Sequence, residues 1–254
     1  MRIPRICVFE ALSNGAEILL PAQAGEHLAR VLRLERGHPI VLFNGNGRDY
    51  RAEISQLAKR AVSARVLDDG EAVSRESPLR LTLAQGVARG EKMDLILQKA
   101  TELGVARIVP VAMERSVVRF AGDERADRRL AHWQAVAAAA CEQCGRNRLP
   151  AIDAPMDLLA ALAIAEASAD LRLLLSPQGE DSLATAAPSA GVALLVGPEG
   201  GFEEREVDAA LRHGFRAVRF GPRVLRTETA AVAAITALQV LAGDLRGVAT
   251  ADSG

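Results

Sequence analysis

Residues 192–201 read Val-Ala-Leu-Leu-Val-Gly-Pro-Glu-Gly-Gly, and residues 217–230 read Ala-Val-Arg-Phe-Gly-Pro-Arg-Val-Leu-Arg-Thr-Glu-Thr-Ala. Each opens with a short strand-like run, Val192 to Val196 and Ala217 to Phe220. Each run ends in a glycine-bearing loop, Gly197-Pro198-Glu199-Gly200-Gly201 and Gly221-Pro222-Arg223, that leads toward helical sequence. In an open α/β sheet ligands bind at such places, because the carboxyl ends of strands and the amino ends of helices meet there. The two loops therefore mark the fold class and the candidate site together.

The surrounding sequence agrees. Leu79 to Gln85 reads as a strand ending in Gly86. Met93, Ile96, Leu97, Ala100 and Leu103 recur at helical spacing across a helix from Glu91 to Leu103. Ala106 to Pro110 is the next strand, and Glu114-Arg115-Ser116 follows its end. Asp123 to Cys141, Pro155 to Ala165, Glu203 to Leu211 and Thr229 to Leu241 read as helices, and Leu171 to Leu175 as a strand. This alternation predicts an α/β domain over residues 73–246, a mostly parallel sheet with helices on both faces.

Residues 1–72 differ. Arg5 to Phe9, Ala16 to Leu20, Pro39 to Phe43, Tyr50 to Leu57 and Ala61 to Leu67 are candidate strands. Asn44-Gly45-Asn46-Gly47 reads as a hairpin turn, since Asn and Gly tolerate positive φ. A helix is expected near Ala22 to Leu32. The polar stretch from Asp68 to Pro78 reads as a linker. The first unit is thus a small β-rich domain, and its basic residues exceed its acidic ones by two over residues 1–75.

The whole chain has 254 residues, 49% of them hydrophobic, with 31 Lys+Arg against 32 Asp+Glu. That near balance gives no bulk charge for nucleic-acid binding and leaves room only for a local basic face. Three cysteines, Cys7, Cys141 and Cys144, argue for a reducing compartment and against a disulfide scaffold. The CxxC of Cys141 and Cys144 lacks further ligands at zinc spacing, so no metal is expected. No apolar run is long enough to span a bilayer or to serve as a signal peptide, so a cytoplasmic chain without membrane attachment is expected. A GxGxxG fingerprint, a Walker A loop, HExxH and GxSxG are all absent.

The Gly197 to Gly201 loop carries one charge, that of Glu199, with no lysine nearby in sequence. It suits a neutral or cationic ligand better than a triphosphate, and its exposed N–H and C=O groups are suited to a purine edge. The second loop adds Arg223, Arg226 and Glu228 with two threonines.

Six motifs carry a resemblance. They are His27 to Arg33, Gln98 to Gly104, Glu114-Arg115-Ser116, Glu142 to Arg146, Gly197 to Phe202 and Leu225 to Ala230. In this order, over nearly the full length, they resemble the bacterial 16S ribosomal RNA uridine-N3 methyltransferases of the SPOUT superfamily. The resemblance implies a PUA-like amino-terminal β-barrel that helps bind RNA and a trefoil-knotted, S-adenosylmethionine-dependent domain. It also implies a homodimer with the site near the subunit interface, and a target, uridine 1498 of 16S rRNA, modified on the assembled small subunit. Cofactor contacts carried onto this chain are Leu174 and Ser176, then Leu195, Val196, Gly197, Pro198, Glu199, Gly200 and Gly201. The last group is Phe220, Gly221, Val224, Leu225, Arg226 and Thr229. Catalytic roles fall on Arg226, Glu228 and Arg115, and phosphate contacts on Arg2, Arg30, Arg33 and Arg146. Two departures stand out: Glu203 replaces the usual serine at a helix cap, which should weaken that cap, and Phe220 replaces an aliphatic residue.

Removing the N3 proton of uridine spreads negative charge over N3 and its flanking carbonyl oxygens. A guanidinium, Arg226 or Arg115, is the expected stabiliser. Glu228 is expected either to accept the proton or to orient an arginine, and the sequence leaves that open. N3 lies on the Watson–Crick edge, so the target base must be unpaired or extruded.

Overall fold

A computed structural model describes residues 3–58, 61–116, 123–186 and 190–246, with side chains from 126 in the third stretch. The chain divides into two compact units, Met1–Arg75 with Ala138–Leu149, and Glu76–Ala137 with Pro150–Gly254.

The first unit is built on β1 (Arg5–Cys7), β2 (Glu17–Leu19), α1 (Ala22–Glu26), β3 (Pro39–Phe43), β4 (Arg48–Ala58), β5 (Ala61–Val66) and β6 (Glu71–Ala72). The strand order is β1-β3-β4-β5-β2, with β6 pairing β4. Alternation turns Ile40, Leu42, Tyr50, Ala52 and Ile54 into one core with Ile6, Leu28 and Val62. Residues 44–47 join β3 to β4 as an antiparallel hairpin. The expected helix to Leu32 is α-helical only as far as Glu26. A π-turn follows over His27–Val31, and Arg33 then takes φ 53°, the one non-glycine residue with positive φ among the described residues.

Residues 138–149 belong to this unit, although the sequence reading placed them in the second domain. The reason is packing: Ala138, Cys141 and Leu149 form one apolar cluster with Cys7 and Phe43. Hydrogen bonds complete the attachment. The Cys7 N–H donates to Glu142 Oε1 at 2.9 Å, and Asn147 Nδ2 donates to Asp49 at 3.1 Å and to the Val73 carbonyl at 2.9 Å. Burial, with Glu142 adding to it, pushes the Cys7 thiol up to about 12.

The second unit contains β7 (Arg80–Gly86), α2 (Glu91–Glu102), β8 (Arg107–Ala112), the greater part of α3 (Asp123–Cys144), β9 (Ala151–Ile152), β10 (Met156–Asp157) and α4 (Leu158–Ser168). It continues with β11 (Leu171–Leu175), β12 (Asp181–Ser182), β13 (Gly191–Val196), α5 (Glu204–Arg212), β14 (Arg216–Arg219) and α6 (Thr227–Ala242). Its sheet runs β10-β8-β7-β13-β11-β14-β12, with β9 beside β8, and every pairing is parallel. Both faces are covered, as a parallel sheet requires. Leu81, Leu83, Val192, Leu194 and Leu173 meet α2 and α6 through Ile96, Leu97, Ala234 and Ile235. Their strand neighbours Ala84, Val109, Ala193 and Leu195 point the other way, to Ala161, Leu162, Ala209 and Ala210 of α4 and α5. Among the described residues no helix is long and apolar enough to cross a membrane.

Candidate active site

Three neighbouring parallel strands, β13, β11 and β14, end on one side of a cavity of about 460 Å³. Residues 197–202 follow β13, Ser176 to Gln178 follow β11, and Phe220 to Thr227 follow β14 into α6; each contributes to the wall. The Ser176 N–H donates to the Val218 carbonyl at 2.9 Å, which holds the β11 loop to β14.

Gly200 in the Gly197 to Gly201 loop, and Gly86 beside it, are packed too closely for side chains. A Cβ on Gly200 would lie 2.7 Å from the Arg115 Cβ, and one on Gly86 would lie 2.6 Å from Pro198 Cδ. Three of the loop's five carbonyls are engaged. Gly197 accepts from the Thr227 hydroxyl at 2.6 Å, Pro198 from the Gly201 N–H at 2.9 Å, and Gly200 from Arg115 at 3.2 Å. Three of the C=O groups expected to be open are thus committed to holding the loop's shape.

Glu199 differs from expectation as well. Lys92, remote in sequence, lies 3.3 Å from its Oε1, and the Arg89 N–H donates to the same oxygen at 3.1 Å. Burial opposes its ionisation, but those donors outweigh burial and hold the carboxyl below the usual range. The lysine absent from the local sequence is brought in by α2.

Arg115 points its Nε to Glu203 at 2.8 Å while bracing Gly200. Glu203 is held below the usual carboxylate range, first by that hydrogen bond and then by the same guanidinium's charge. The helix start at Glu203 is secured by Glu206, which is buried and accepts the Glu203 N–H at 2.8 Å and the Glu114 N–H at 3.0 Å. The missing serine cap is therefore offset by a carboxylate three residues on, the return half of a capping box.

Arg226 stands at the N-cap of α6, exposed on the cavity wall, and its guanidinium makes no hydrogen bond or ion pair with a described residue. Arg223 and Val224 share that wall, Val224 at 81% exposure. Glu228 is half-buried, and its Oε2 is buried with no hydrogen-bond partner.

Among the residues singled out from sequence, Ser176, Val196 to Gly201, Phe220, Gly221, Val224 to Arg226 and Arg115 line the cavity. The Leu174 and Leu195 side chains do not. They pair across β11 and β13 and point into the core, while their neighbours Leu175 and Val196 face the cavity, as strand alternation demands. Thr229 and Glu228 lie outside the wall too, because the inward stripe of α6 runs through Thr227, Ala230 and Ala231. In the first unit Arg30 is exposed and pairs with Glu26, and Arg33 is exposed. Arg146 is 4% exposed, so it does not present a free phosphate-binding group. Arg2 lies outside the described residues. Among the described residues no group of three or more His, Cys, Asp or Glu side chains is placed to hold a metal ion.

Sequence reasoning missed Lys92, Gln178 and Gln85. Only Gln85 left a signal, a polar residue closing an otherwise apolar strand.

Comparison with known proteins gives a consistent set. Residues 75–239 match the family described as RNA methyltransferase domain, and residues 20–67 match the RNA methyltransferase PUA domain. The ribosomal RNA small subunit methyltransferase E of Buchnera aphidicola (from Schizaphis graminum) is 32% identical over 96% of this chain and 98% of its own. That of Mycobacterium bovis is 34% identical over 90% and 88%. A Legionella pneumophila methyltransferase, solved with bound SAM, superposes with a TM-score of 0.89 at 38% identity over 96% of this chain and all of its own, 100%. A Neisseria gonorrhoeae ribosomal RNA small subunit methyltransferase E, bound to S-adenosyl methionine, gives 0.83 at 39% identity over 96% and 99%.

Proposed function

The chain belongs to the ribosomal RNA small subunit methyltransferase E family, and on that footing we propose that it methylates N3 of a single uridine in 16S rRNA. The cofactor is S-adenosylmethionine, as in the two solved relatives that hold it. The cavity fits that molecule: its glycine loop leaves backbone rather than side chains against the ligand, and the one acidic group in the wall is neutralised by Lys92. When bound, the cofactor supplies an electrophilic methyl group on a sulfonium.

The observation that carries the reading is Arg226. Like Arg223 it is a guanidinium on the cavity wall without a hydrogen bond or ion pair to a described residue, and it is fixed at its backbone by the Ala230 N–H, which donates to its carbonyl at 2.7 Å. It is the group to stabilise the charge that develops on the uracil as N3 loses its proton. Arg115 is committed to Glu203 and Gly200, so it shapes the loop. Glu228 lies outside the cavity wall, so its buried carboxylate oxygen, though without a hydrogen-bond partner, is not presented to the N3 proton. Arg30 and Arg33, exposed on the first unit, serve as phosphate contacts. The second unit is proposed to be trefoil-knotted, and the protein to act as a cytoplasmic homodimer on the assembled small subunit.

The test is transfer of labelled methyl from S-adenosylmethionine to small subunits lacking the modification, with reverse-transcription stops read on the product. N3 methylation blocks pairing, so one stop at a single uridine is the expected result. Label without a stop would move the reaction to ribose or another base position.

A further inference from the structure

Gln85 ends β7 with 0% exposure, and nothing in the chemistry above uses it. Its Nε2 donates to the Gly86 carbonyl at 2.9 Å and to Thr227 Oγ1 at 3.0 Å, and lies 3.5 Å from the Gly197 carbonyl. Those neighbours fix which way the amide points. Turned over, it would set its oxygen against two carbonyls. In the observed orientation Oε1 is buried without a partner. Thr227 occupies its one proton at the Gly197 carbonyl, 2.6 Å away, and accepts from Gln85 on a lone pair.

We infer that Gln85 and Thr227 are positioning residues, an amide–hydroxyl–carbonyl relay that sets the Gly197 loop against the first turn of α6. Thr227 is 5% exposed and follows Arg226 directly, while Gly197 begins the glycine loop. The relay therefore joins the ligand-holding loop to the helix end that carries the charge-stabilising group. Both ends must keep one placement for an in-line displacement, and a small misplacement lowers turnover more than it lowers binding. Gln85 keeps this arrangement with one acceptor unsatisfied in the core. The inference rests on the assignment of this cavity to the cofactor and of Arg226 to the transfer step.

The experiment compares T227V, T227S and Q85M in the full-length protein. The readouts are S-adenosylmethionine affinity by calorimetry, thermal unfolding, and methyl transfer at saturating cofactor to small subunits lacking the modification. T227V is expected to lower saturated turnover by about tenfold or more, with cofactor affinity within about threefold of wild type. T227S keeps the hydroxyl and should restore turnover, and Q85M, which takes a donor from the Gly86 carbonyl and from Thr227, should lower saturated turnover with cofactor affinity within about threefold of wild type. Turnover within about twofold of wild type in T227V overturns the relay. So does a turnover loss matched by an equal loss of cofactor affinity, or failure of T227S to rescue. If T227V does not fold, Q85M decides by the same criteria. Wild-type protein that methylates another RNA position overturns the N3 assignment while the variant-to-wild-type ratios still judge the relay. A wild type that transfers no methyl group overturns both.

Discussion

Asp49 in the first unit and Arg226 in the second show two opposite uses of charge. Asp49 is 15% exposed at its side chain and is surrounded by donors: Arg5 bidentate at 2.8 and 2.9 Å, Arg75 at 3.0 Å and Asn147 at 3.1 Å. Arg5 also lies over the Phe43 ring, 5.1 Å from its centroid. Arg226 has no partner for its guanidinium among the described residues and faces a cavity. A charge whose partners are all internal belongs to the architecture. A charge left without a partner beside a preorganised loop is available to a ligand.

The largest expected effect on stability tests the first half of that contrast. Asp49→Asn removes the negative charge from between two arginines, one of them only 9% exposed, and should cost about 3 kcal/mol in urea unfolding. Burial favours the neutral acid at Asp49, yet the Arg5 and Arg75 hydrogen bonds outweigh it and hold the carboxyl below its usual range. Its contribution is thus complete above the ordinary Asp range, about pH 4, and is lost as pH falls below it. Wild type minus Asp49→Asn stability should shrink on acidification. A difference that is flat from neutral pH into acid would break the architectural reading.

Next comes the second half. Arg226→Ala should lower saturated turnover by about 10²–10³-fold, the usual loss for one donor to a developing anion. Its urea midpoint should stay near wild type, because the exposed side chain has no hydrogen bond or ion pair with a described residue to lose. A large stability loss would mean that this arginine is architectural after all. A smaller effect is expected at Glu206, whose carboxylate takes the Glu203 N–H at the start of α5 and the Glu114 N–H after β8. Glu206→Ala should cost about 1 kcal/mol, the ordinary value of a helix cap, and weaken cofactor binding only slightly. Least of all, Arg30→Ala with Arg33→Ala should flatten the salt dependence of RNA binding by roughly 0.7–0.9 per phosphate contact removed, with cofactor affinity unchanged. An unchanged slope would remove the phosphate role from both.

The sequence made the second unit's alternation legible, because Leu173, Leu194 and Leu83 sit in apolar runs and Met93, Ile96 and Leu97 at helical spacing. The glycine loops were legible for the same reason, as chain punctuation at strand ends. Contacts between distant segments were not. Lys92 reaches Glu199, and Gln85 reaches Thr227, only because β7, β13 and α6 converge in space. Sidedness was also partly hidden: Leu174 and Leu195 sit at the right depth in their strands but on the opposite face from the cavity. Arg146 shows the same limit. A guanidinium in a polar motif reads as surface until the fold buries it.

The attachment of residues 138–149 to the first unit has a consequence for synthesis. Domains generally fold as units while the chain emerges. Here the first 75 residues leave the ribosome without the segment that covers Cys7 and Phe43. That face must wait while the first strands and helices of the second unit are made. The first domain to be started can therefore be finished only after part of the second has been made. An amino-terminal fragment ending at Arg75 would carry an unsealed apolar patch and an Asp49 stripped of its amide partner Asn147.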